Sequence, residues 1–70
     1  MNYPALQKLL GVATERDLET LLAREIEGER RYTFLVRIHQ RLSALRASRE
    51  RKELLVKTGY ADRVAHDRRN

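Results

Sequence analysis

The side chains equipped for chemistry are few and scattered. Histidine occurs only at positions 39 and 66, and cysteine is absent. Neither histidine stands at the short spacing from other ligands that marks a metal site, nor beside a nucleophile it could activate. Glu15, Asp17 and Glu19 group together directly after Thr14. Acids placed just after Thr14 are what helix capping and the helix dipole favour, so they need no catalytic reading. Gly11, Gly28 and Gly59 stand singly and punctuate helices, leaving no loop to cradle phosphates. The expectation is a protein that is not an enzyme and uses no cofactor and no metal.

The abundant chemistry is guanidinium: arginine outnumbers lysine twelve to three. Its planar set of donors suits phosphate and carboxylate oxygens. Arg30, Arg37, Arg41, Arg51 and Lys52 fall on one side of a long helical pattern, spanning about 33 Å at ~1.5 Å per residue. That length is close to one turn of a DNA duplex, which makes the five residues candidate polyanion contacts. A solvated face that keeps a small protein dispersed is the plainer account of the same charges. The net charge of +5 conceals a strong polarity along the chain. Residues 1–29 hold three basic and six acidic side chains, and residues 30–70 hold twelve basic and four acidic ones. The acidic part can therefore fold against the basic part, or the basic part can face a polyanion.

These residues must be carried by helices. The stretch from Glu29 to Lys57 contains neither Gly nor Pro and reads as one long helix. Leu35 and Leu42 mark the middle of its apolar sector, with Phe34, Ile38, Leu45 and Val56 on one side and Tyr32, Val36 and His39 on the other. The sector covers roughly 200°, twice the stripe of ~100° that faces a single core. Two neighbours are implied, and a second copy of the chain is the simplest source of one of them. Arg31, Arg46 and Arg49 fall awkwardly near the centre of the sector, which predicts that tight burial ends near Leu45 and that the helix projects beyond its core.

Ahead of it, residues 4–10 read as a short helix with Pro4 in its first turn and Gly11 as its stop. Thr14 with Asp17 three residues on is a capping-box pattern, and Leu18, Leu21, Leu22 and Ile26 follow at helical spacing, so a second helix should span 15–27. Gly28 then decides the architecture. Were the helix to continue through it, the Leu18–Ile26 and Leu35–Leu45 stripes would point roughly 150° apart. A reversal at Gly28 lets them face each other as an antiparallel hairpin. In that hairpin Leu22 meets Leu35, Leu18 lies near His39 or Leu42, and Glu25 approaches Arg31.

The fold class expected is therefore all-α: a short N-terminal helix plus an antiparallel helical hairpin, pairing with a second copy as a dimeric four-helix bundle. Residues 1–57 form the single domain, and 58–70 a basic tail with room for a short helix. Seventy residues bury a small core, and without disulfides stability must come from packing, oligomerisation or both. No apolar run suffices for a membrane span, so no membrane role is expected, and the lack of cysteine fits the cytoplasm.

By elimination the function expected is docking on a protein partner, in the manner of an adaptor or inhibitor. Tyr32, Phe34, Val36, Leu54, Leu55, Tyr60 and Val64 are the candidate dimer or partner contacts. The alternative is a nucleic-acid-binding regulator using the Arg-rich face. A helix-turn-helix reading of Leu6–Leu22 is disfavoured, since its second helix opens with acids that would meet phosphates with the wrong sign.

Overall fold

The computed structural model describes residues 1–60 and contains three helices, α1 (Tyr3–Leu10), α2 (Glu15–Glu27) and α3 (Tyr32–Thr58), with no strand among them. The basic tail after residue 60, with Val64 and His66, lies outside the described residues. Each helix start but one has a side-chain cap. The Asn2 carboxamide oxygen accepts from the Ala5 N–H, with Pro4 inside the first turn. Thr14 and Asp17 form the reciprocal capping box, each side chain accepting from the other's backbone N–H at 3.1 Å. At the far end Gly59 adopts φ +81° and terminates α3, a conformation that strains any residue with a Cβ.

The chain reverses after Gly28, and α2 and α3 run antiparallel. Arg31 at the start of α3 meets Glu25 near the end of α2, while Arg49, far along α3, meets Glu15 at the start of α2. The tight turn makes two demands. A Cβ on Gly28 would lie 3.0 Å from the Arg24 carbonyl oxygen, so any side chain there would have to push that backbone back by a few tenths of an ångström. The left-handed residue is Arg30, at φ +52°, whose backbone N–H donates to the Glu25 carbonyl. Glu29, Arg30 and Arg31 are thus spent on the reversal, and α3 begins at Tyr32 instead of Glu29.

The core consists of Leu6, Leu10, Ala13, Leu18, Phe34, Ile38 and Leu42, with Leu9, Leu21, Leu22 and Leu45 packed around it. On α3 the buried row is Phe34–Ile38–Leu42, spaced four residues apart, with half-buried Leu35 at its margin. The centre of the apolar sector therefore sits on Ile38 and not on Leu35. The physical reason is α1. It packs on α3, its Tyr3 ring lies 6.2 Å from Phe34, and it draws the Phe34 side of the sector inward. Phe34 is 7% exposed. The neighbour it required is α1 rather than a second copy, which removes Phe34 from the surfaces open to a partner.

Beyond Leu45 the helix leaves the core behind. Leu54 and Val56 are exposed and Leu55 is half-buried. The radius of gyration is 16.0 Å, against about 11 Å for a compact domain of this length. The overhanging arm of α3 accounts for the excess.

Candidate functional site: an open apolar face and two sets of arginines

The apolar side of α3 that α1 does not cover forms, with the C-terminal half of α2, an open groove of about 600 Å³. Leu22 and Ile26 line it from α2, and Tyr32, Leu35, Val36, His39 and Gln40 from α3. No lining residue carries a formal charge with His39 neutral. Tyr32 stands at its edge 80% exposed, and Ile26 is half exposed. Leu22 and Leu35 share this groove, as the hairpin requires; Leu18 and Leu42 are both in the core, and His39 is outside it. Of the expected partner contacts, Tyr32 and Val36 come together here. Leu54 and Leu55 lie apart on the arm of α3, and Tyr60 lies just past its end.

The arginines of α3 and the turn divide into two sets. Arg31, Arg46 and Arg49, the three that fell awkwardly on the apolar sector, each meet a glutamate of α2: Glu25, Glu19 and Glu15 respectively, all at 2.7 Å. The Arg31 contact is the most elaborate. Its Nη2 donates to Glu25 Oε1, its Nε and backbone N–H donate to Glu25 Oε2, and its Nη1 donates to the Met1 carbonyl oxygen. Glu29 lies 3.1 Å from the same Nε, and the guanidinium carbon sits 3.5 Å from the centre of the Phe34 ring. One side chain therefore ties the starts of α1 and α3 to the end of α2. Glu25 is only 7% exposed, the one charged residue in the buried set. The side-chain and backbone hydrogen bonds from Arg31 hold its carboxyl below the usual carboxylate range, against the opposing effect of burial. Glu25 in turn raises Arg31, and Glu15, followed by Glu53, raises Arg49. Both of these guanidiniums stay charged.

The second set has no carboxylate partner among the described residues. Arg30 donates from Nε to the Ile26 carbonyl oxygen, and Arg41 from Nε to the Leu10 carbonyl oxygen. Both cap helix C-termini, where unpaired carbonyls and the dipole favour a cation. Arg37 donates to Gln40 Oε1, its neighbour on α3. Arg37 and Arg41 line a polar cleft of about 400 Å³ with Gln7, Leu10, Gly11 and Gln40. Arg51 is exposed on the arm. Lys52 shares a separate cleft with Glu15, Arg49 and Glu53. The expected polyanion contacts are thus dispersed: Arg30 belongs to the turn, Lys52 lies beside carboxylates, and Arg37, Arg41 and Arg51 remain on one side of α3.

Sequence reasoning missed the capping roles of Arg30 and Arg41. The sole signal was a cation close to a helix end, and for Arg41 that end belongs to a different helix. The helix-turn-helix spacing does not become that motif, because α1 packs chiefly on α3, and Asp17 and Glu15 are engaged in the cap and the Arg49 pair. Among the described residues no group of His, Asp and Glu could hold a metal ion, and no helix is long and apolar enough to cross a membrane. No family model, curated protein or solved structure matches the chain.

Proposed function

We propose that the chain is a non-catalytic helical binding module that works by docking on protein, with the α2–α3 groove as its working surface. One observation carries this: an uncharged apolar groove lies directly beside a protruding, nearly uncovered tyrosine. Knob and hollow on one face are the requirement for an isologous pair, in which each copy offers the same patch to the other. The occupant is accordingly a second copy, and the product a dimeric four-helix bundle built from two hairpins. The absence of charge in the lining lets two basic chains meet without desolvating ions. A face as long as α2, about 20 Å, and as wide as the hairpin would bury on the order of 800 Å² over both copies, below the range of stable specific interfaces and in that of weak, transient ones. The dimer should therefore be reversible, with a Kd in the micromolar range. Both α3 arms project from such a dimer, and exposed Leu54 and Val56 are where a different protein would dock in adaptor or inhibitor fashion. The cytoplasm is part of this reading.

Sedimentation equilibrium across the micromolar range tests it. A monomer–dimer equilibrium is expected, and the double variant Ile26→Lys/Tyr32→Lys should be monomeric with unchanged helical circular dichroism. A monomeric parent at every concentration, or a dimer that survives both substitutions, would overturn the proposal.

A further inference from the structure

The division of the arginines has a spatial consequence. Arg37, Arg41 and Arg51 lie within about 80° of one another on α3, along ~21 Å of helix at ~1.5 Å per residue. They occupy the side turned away from the apolar groove. No acidic residue shares that sector of α3, since Glu50 and Glu53 project toward the opposite side. Helix α1, which lines the cleft beside Arg37 and Arg41 with Gln7 and Leu10, contains no acidic residue. Of the five carboxylates of α2, Glu15, Glu19 and Glu25 are drawn to the other arginines, and Asp17 closes the cap of its own helix. Folding therefore pairs one set of cations with carboxylates and leaves Arg37, Arg41 and Arg51 on a sector of α3 that carries no carboxylate of its own. Between Arg41 and Arg51 the sector holds only Ala44 and Ser48, both exposed, so no bulky side chain keeps a phosphate backbone at a distance.

We infer that this stripe binds the phosphate backbone of double-stranded nucleic acid, without reading its sequence. The chemistry distinguishes it from related polyanion sites. A single-strand groove adds aromatic rings on which bases stack, and the exposed Tyr32 is on the wrong face of α3. A bilayer-surface helix needs a broad apolar flank, and the sector has only half-buried Leu55. Arg41 keeps its two terminal amino groups for phosphate while its Nε holds the end of α1, so it is both a capping and a binding residue. Lys52 is left out because Glu15 and Glu53 lie beside it. The inference does not rest on the dimer: the stripe and the groove are different sides of α3 that adjoin at Gln40, which lines both clefts.

The test is fluorescence anisotropy with a labelled DNA duplex at a series of salt concentrations. Three phosphate contacts give a slope of log Kobs on log salt near −2.7, or about 40-fold weaker binding for a fourfold rise in salt. The variant Arg37→Gln/Arg51→Gln leaves the capping Arg41 in place and should retain the parent's circular dichroism. Its slope should fall to about −0.9, a three- to fourfold weakening over the same range. Arg16→Gln/Arg24→Gln removes the same charge from exposed positions on α2 and should leave the slope unchanged. The inference is overturned if the parent shows no salt-dependent binding to the duplex. It is equally overturned if the slope survives Arg37→Gln/Arg51→Gln, or if both double variants lower it alike. Retention on phosphatidylserine vesicles with no binding to duplex would assign the stripe to membranes and likewise sink it.

Discussion

The two ends of the α2–α3 hairpin use the same chemical pair in opposite ways. At the turn end, the Arg31–Glu25 contact is built from several hydrogen bonds, lies over the Phe34 ring and has its carboxylate buried. At the open end, Arg46–Glu19 and Arg49–Glu15 are just as short, yet their guanidiniums are nearly half exposed. Distance therefore says little about what a contact contributes. Exposed pairs of this kind are generally worth about 0–1 kcal/mol, because solvent screens them and ordering two long side chains costs entropy. A pair whose carboxylate is buried differs in kind. Glu25 could not sit where it does without its partner, since removing one member of such a pair leaves the other desolvated and unmatched. The turn end is a lock, and the open end holds exposed contacts that follow from the face of α3 that core packing turns toward α2.

The comparison can be broken or sharpened by substitution. The largest effect should come from the core that both ends serve. Ile38 is fully buried, and Ile38→Ala should cost about 3–4 kcal/mol. In a chain this small that is most of the stability, so urea titration should find the variant largely unfolded in buffer. Next in size, Glu25→Ala should lower Tm at least twice as far as Glu19→Ala, although both remove a carboxylate 2.7 Å from an arginine. Equal losses would mean that burial does not distinguish the two ends. The smallest effect is one of pH. Glu25 has its folded-state pKa depressed below the ordinary 4.5, so the stability it contributes is fully present above that value and drains away as pH falls through the folded-state pKa. Thermal melts between neutral pH and pH 3 should thus show a steeper acid limb in the parent than in Glu25→Gln.

Much of this was legible in the residues. The reversal at Gly28 followed from two apolar stripes that would otherwise point apart, the α2 capping box from Thr14 and Asp17, and the Glu25–Arg31 contact from two charges out of place on apolar stripes. The assignment of Phe34 to a partner failed because a helical wheel shows how wide an apolar sector is but not which neighbour covers each edge. α1, with only Leu6, Leu9 and Leu10 as an apolar edge, gave little sign that it would reach Tyr3 over to Phe34. The start of α3 was placed three residues early for a similar reason: nothing in Glu29, Arg30 and Arg31 forbids helix. They leave it because the reversal needs a left-handed residue, and that role falls to Arg30.

The chain by itself determined the helices, their order and the reversal, because caps, glycines and apolar periodicity act over a few residues and do not depend on distant packing. It also determined that acidic and basic halves could satisfy each other. Only the tertiary structure decided which arginines beyond Arg31 do so. Pairing depends on which sides of α2 and α3 meet, and that was set by α1 claiming Phe34 and turning Ile38 to the centre of the core. The groove beside Tyr32 and the stripe from Arg37 to Arg51 are the two faces of α3 left over from that choice.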